Sequence, residues 1–418
     1  MESASVSSHN TLPLSTLIKI LALLALLATP ALAQKKIFKN LPINDPKQCP
    51  YCGGDPKLME GAGIVSHGGF EFAKGTTATL DQELSGFDIF WIETGHFKLG
   101  LELKPYKIPQ REKDKLEAEI NELRKVLPAI PSKVRVIDSW LRAHLFAARV
   151  QSLYKSVIEL LKVEDAPFPK TAVATFDPAK GYWGMGPHLG MKRKYELLVI
   201  RNENNCSGWL RANFGLLTRS AQRWHIIDRG VLIVITHQEQ GKLQVDEALH
   251  GHVVFNLVQN MLNGYKYYSY DKPLWLLEGL SHWFERKITT KYNTFDGGEG
   301  STAAITRKED WEPPTRKLVQ KGNNSGIGAL IRIKSYGEFG LPEHYTTWSM
   351  VDYLQSKHPG FVGDLLGEVS GLLSADYMPE GGRMNDVTRD FFKQRLGLTM
   401  VGFERAWQAW VLETYAAQ

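Results

Sequence analysis

Asp246, Glu247 and His250 stand together in the run DEALH, and Glu278 and His282 follow further along in LEGLSH. Residues four apart share a helical face, so Asp246 and His250 point the same way, as do Glu278 and His282. An imidazole and a carboxylate from one helix, joined by a carboxylate from the next, would make a three-ligand set with an open fourth position, as catalytic zinc uses. The expected metal ligands are Asp246, His250 and Glu278, with Glu247 beside them as the base. His282, on the face of Glu278, is expected as a spare ligand or as a group that orients the ligands from behind, and His252 as another such orienting group. Each residue also has an ordinary use: Asp246 as a helix N-cap, Glu247 as a first-turn acid, and the histidines as interior groups.

A second constellation is Cys49-Pro50-Tyr51-Cys52. A redox dithiol would want a strand before it and a helix after it, but Pro46, Gly53, Gly54 and Pro56 surround this pair. A zinc ribbon needs a second cysteine pair, and only Cys206 remains. The residue after Cys52 is Gly53 rather than His, which argues against covalent haem. The pattern predicts a local Cys49–Cys52 disulfide clipping a loop, with Cys206 free and buried; a redox protein is the alternative.

The segments around the first constellation resemble a known family. The strand GVLIVIT, a helix with an HExxH-like motif, and a helix reading P-x-W-L-x-E-G-L look like the core of gluzincin metallopeptidases. The likeness is greatest to the peptidase MA-like group of exported bacterial proteins. The second helix is Pro273-Leu274-Trp275-Leu276-Leu277-Glu278-Gly279-Leu280, with Glu285 beyond, and the segments at 345–361 and 390–412 also look like that group. The likeness runs from Thr171 onward.

The family's motif is His-Glu-x-x-His, where this chain has Asp246-Glu247-Ala248-Leu249-His250. A register starting at His250 puts Gly251 at the base and Val254 at the second ligand. One ending at His252 puts Ala248 and Leu249 at the first ligand and the base. Only the Asp246 register keeps a base and two ligands. The resemblance implies a zincin-like fold, zinc as cofactor, and hydrolysis of a peptide or protein substrate, with Glu247 taking and returning the proton. His282, His344 and Tyr345 are the candidates for steadying the oxyanion. Two carboxylates and one imidazole neutralise most of the ion's charge and weaken its hold on bound water. The alternative is therefore a non-catalytic envelope or extracellular protein that binds a peptide or protein partner on a degenerate peptidase scaffold.

These residues need a scaffold, and the chain's patterns supply one. Residues 16–33 read TLIKILALLALLATPALA, an apolar run too short to span a bilayer and ending in A-x-A. This predicts a cleaved signal peptide over 1–33 and a periplasmic or extracellular product without a membrane span. Residues 34–64 read as loop, strands are expected from Phe87 to Pro105, and helices at 111–126 and 136–161. Strands follow at 171–176, 195–202 and 230–238, then a helix from Gly241 closed by Asn263-Gly264, another at 274–288, and a loop-rich interval at 293–340. Helices are expected again at 344–357, 360–373, 386–396 and 402–416. Strands first and helices afterwards make an α+β protein, a small mixed or antiparallel sheet followed by a helical subdomain. The expected division is an N-terminal region at 34–165 and a peptidase-like domain at 166–418. A net charge of +5 spread over the chain argues against nucleic acid as the partner.

Overall fold

The computed structural model describes residues 49–416, apart from 85–86, 165–166, 176, 178–180, 270, 299–300, 307–309 and 377. The expected signal peptide lies outside the described residues. The fold is mixed α+β, and six strands make its central sheet. They are β1 (Ile64–Ser66), β2 (Phe90–Thr94), β3 (Phe97–Leu101), β4 (Tyr195–Ile200), β5 (Gln222–Ile226) and β6 (Val231–His237). Their order is β1-β2-β3-β4-β6-β5. The β3–β4 and β4–β6 pairs are parallel, and the outer pairs are antiparallel. β4 and β6 are buried at every position, which is why YELLVI and VLIVITH read as continuous apolar runs.

Successive side chains leave these strands on opposite faces. Leu99, Leu197 and Val234 meet α2 (Ser139–Leu161) and α4 (Asp246–Gly264) in the main core. Leu198, Ile233 and Ile235 pack with Trp209 and Leu210 of α3 (Glu203–Phe214) on the other face. α1 (Lys113–Val126) lies on α2. α4 packs on α5 (Leu274–Ile288). The hairpin β7–β8 (Asn293–Gly298 and Ser301–Thr306) comes next. α6 (Glu312–Lys321), α7 (Leu341–Lys357), α8 (Phe361–Val369), α9 (Met384–Leu396) and α10 (Met400–Thr414) form the helical C-terminal region. No helix among the described residues is long and apolar enough to cross a membrane.

Three expectations are corrected. Residues 171–175 form no strand; Val173 N donates to Met185 O at 2.9 Å, outside the sheet. The sheet and the main core run across the expected boundary at 165/166. β3 from the first half pairs with β4 from the second, Leu99 opposite Leu197, and Phe146 shares a core with Leu249 and Val253. Asn263-Gly264 does not cap α4, which runs through Gly264 to a cap at Tyr265. A Cβ on Gly264 would stand 2.6 Å from Tyr195 Oη, so that glycine permits a close approach instead. α3 and β5 fall where no regular element was expected, and the interval at 293–340 holds a hairpin and α6.

Candidate metal centres

Asp246 opens α4, but its carboxylate faces α2. Arg142 Nη2 donates to Asp246 Oδ1 at 3.2 Å, and Arg149 Nη2 lies 2.7 Å from Oδ2. Burial pushes the carboxyl up, yet Arg149 and Arg142 together hold it below the usual range. His250, on the same helical face, meets the Phe146 ring edge-on. Burial first, then the charges of Arg149 and Lys115, press its pKa well down, so the ring is neutral. Glu247 is half-buried in the field of Lys115.

Glu278 lies elsewhere. Its Oε1 accepts from Gln259 Nε2 at 2.6 Å, and Gln259 is thirteen residues beyond Asp246 on α4. At ~1.5 Å rise per residue that is about 20 Å along the helix. The expected trio of Asp246, His250 and Glu278 is not brought together. The two guanidiniums of α2, distant in sequence, claim the carboxylate meant for the metal.

Glu278 instead meets two imidazoles. Its Oε2 is 3.2 Å from His344 Nδ1 and 3.7 Å from His282 Nε2, and those two nitrogens are 3.1 Å apart. Glu278 and His282 share a face of α5 one turn apart, and His344 comes from the first turns of α7. Relative exposures of 0%, 0% and 3% put all three in the interior. Glu278 Oε2 makes no hydrogen bond. His282 Nδ1 lies 3.2 Å from Glu285 Oε2, and Glu285 Oε1 accepts from Thr294 N at 2.9 Å. Gln259 Oε1 accepts from Tyr336 Oη at 3.1 Å. The rings of Phe255, Phe295, Trp311 and Phe339 surround the imidazoles.

Asp296 sits in the same buried network, bonded to Arg223, which also donates to Asn256 Oδ1 at 3.0 Å. Burial pushes the Asp296 carboxyl up to about 7, with Arg223 pulling against it and the Glu278 charge adding to it. His252 does not join the cluster. Its Nε2 is 3.0 Å from Thr236 Oγ1 and its main chain accepts from Asn256 Nδ2. In sequence, the Glu278–His282 spacing is visible and marks His282 as a spare ligand or an orienting group, whereas His344 is only an oxyanion candidate. Nothing in their separation by sixty-two residues marks them as neighbours.

The cysteines make a second group. Cys49 and Cys52 are not joined; both are free thiols, as is the buried Cys206. Cys49 Sγ lies 3.1 Å from His144 Nε2 and Cys52 Sγ 3.3 Å from His67 Nε2. Each sulfur thus has a nitrogen to face, in place of the disulfide expected between them. The bond from Cys49, working against burial and helped by His144 and His67, draws Cys52 toward thiolate. In each group the donor atoms all lie within 4.8 Å of one another, so both the Cys/His and the Glu/His groups could hold a metal ion. The chain has no significant match among protein-family models, curated proteins or solved structures.

Proposed function

We propose that this protein is an exported, zincin-like zinc protein whose centre is Glu278, His282 and His344, and that this centre is of the amide-hydrolysing kind. The observation that carries the reading is the three donors facing one another at 3.1–3.7 Å, one of them a carboxylate oxygen without a hydrogen bond. Two imidazoles and a carboxylate form a ligand set of catalytic zinc. The donors suit an ion ~2 Å from each. When bound, zinc would supply a Lewis acid and an acidified water.

The rest is work for the chain's own side chains. Glu285 Oε2, accepting a hydrogen bond from His282 Nδ1–H, would leave the Nε2 lone pair turned toward the site. Gln259, braced by Tyr336, fixes the second oxygen of Glu278. Asp296, held by Arg223 and in the field of Glu278 and His344, is the acid we assign to take and return a proton in place of Glu247. A cavity of about 420 Å³ reaches Arg223 and Tyr336 and is bordered by Trp224 and His225 of β5, giving a peptide somewhere to lie.

One observation favours a second reading. Glu278, His282 and His344 are closed off from solvent, which suits a scaffold that keeps the metal and binds a peptide or protein in the cavity without cutting it. Zinc counting and hydrolysis of an unfolded protein by the zinc-loaded chain separate the two. Hydrolysis that Glu278→Gln lowers by about 100-fold or more supports the hydrolase. A fully loaded protein without turnover supports the binder. Unchanged zinc content in Glu278→Gln refutes the centre itself.

A further inference from the structure

The Cys/His group is built differently from the Glu278 cluster. Two sulfurs and two imidazole nitrogens converge, from residues with relative exposures of 2%, 2%, 1% and 1%. They come from three separate stretches. Cys49 and Cys52 lie in a turn where Gly53 N donates to Cys49 O at 2.9 Å and Cys52 N approaches Cys49 Sγ at 3.5 Å. Gly53 and Gly54, at φ 54° and 73°, carry the chain out of that turn through conformations that suit glycine. His67 follows β1 directly, and His144 stands on α2. Both Nε2 atoms point at sulfur, while both Nδ1 atoms lack a hydrogen-bond partner.

Hydrogen bonding alone explains this poorly, since a thiol is a weak donor and a weak acceptor. Beyond backbone N–H contacts to the sulfurs these four side chains meet mainly one another, and burying them so is costly without a stronger interaction. A tetrahedral set of two sulfurs and two nitrogens is a signature of zinc, and a set with every position filled by protein is structural rather than catalytic.

We propose that Cys49, Cys52, His67 and His144 form a closed structural zinc site that fastens the residues before β2 onto α2. It is independent of the Glu278 reading. The cysteine turn sits in a small core of its own with Leu116, Ile120, Leu141 and Leu145, and a metal supplies the folding energy such a small core lacks. Bound zinc replaces two thiol protons, which leave to solvent, with two sulfur–metal bonds, and no oxidant is needed.

The test uses the full chain, reduced and loaded with cobalt as a spectroscopic stand-in. A thiolate-to-cobalt charge-transfer band is expected, absent in Cys52→Ser and retained in Glu278→Gln. Because Cys52→Ser could misfold, the zinc form of the unaltered chain is also alkylated with iodoacetamide. Chelation should speed labelling of Cys49 and Cys52 by about 10-fold or more. A missing band in the reduced chain overturns the proposal. So does a band lost in folded Glu278→Gln, labelling indifferent to chelation, or a Cys49–Cys52 disulfide in protein made with zinc present.

Discussion

Arg149 Nη2 stands 2.7 Å from Asp246 Oδ2, an ion pair in the interior between α2 and the first turn of α4. Arg142 closes on the other oxygen, and Arg149 also donates to Glu119 of α1 at 2.6 Å. Two cations and two anions thus balance where helices from both halves of the chain meet. Removing one partner of a buried pair leaves uncompensated charge, which costs about 3–5 kcal/mol. Asp246→Asn should therefore lower the denaturation midpoint sharply and leave zinc content alone. The arginines outweigh burial and depress the Asp246 pKa, so its contribution is present at neutral pH and fades as pH falls below the ordinary carboxylate range. Lost zinc with stability intact would return Asp246 to the metal.

Gly279 tests the Glu278 centre without touching a ligand. A Cβ there would lie 2.6 Å from Thr347 O and 2.8 Å from Val351 Cγ2. α5 and α7 approach through that gap, and the approach sets Glu278 3.2 Å from His344. Gly279→Ala must push the helices apart at about 1–3 kcal/mol for overpacking. Zinc should bind the Glu278 centre about 10-fold more weakly, while the thiolate band of the Cys49 site persists. Full affinity in the alanine variant would mean the helix spacing does not hold the donors.

The contrast between the two groups shows what a sequence can carry. Apolar periodicity marked α4, α5 and the last helices because each buries a broad face, and β4 and β6 stood out as doubly buried strands. β5 did not, because QRWHI is short, mostly polar and lies at the edge of the sheet, so it carries no apolar run. α3 was hidden by NENNCSGW, whose Asn202 looks like a turn former but caps the helix by accepting from Asn205 N. Glu278 and His282 were legible as an i, i+4 pair, whereas His67 and His144 carry no spacing that ties them to Cys49 and Cys52. Asp246 is hidden for the same reason: its arginines lie about a hundred residues earlier, and only packing reveals them.

Glu196 on β4 gives the fold a dependence on pH that is separate from both metal groups. Its Oε2 accepts from Ala73 N at 2.7 Å, and Lys98 stands opposite on β3. Burial, opposed by the Ala73 N–H and by Lys98, raises the carboxyl to about 8, against ~4.3 in an unfolded chain. The folded protein holds this proton more tightly, so the contribution is full below about pH 4 and is lost as pH rises toward 8. The slope between those values is at most roughly 1.4 kcal/mol per pH unit. Glu196→Gln keeps an oxygen for Ala73 and cannot ionise. Urea midpoints across that window should therefore fall more steeply for the unaltered chain than for the variant, with the variant gaining ground as pH rises. Parallel curves would mean that Glu196 titrates alike in the folded and unfolded chain, and that its burial is relieved by water reaching β4.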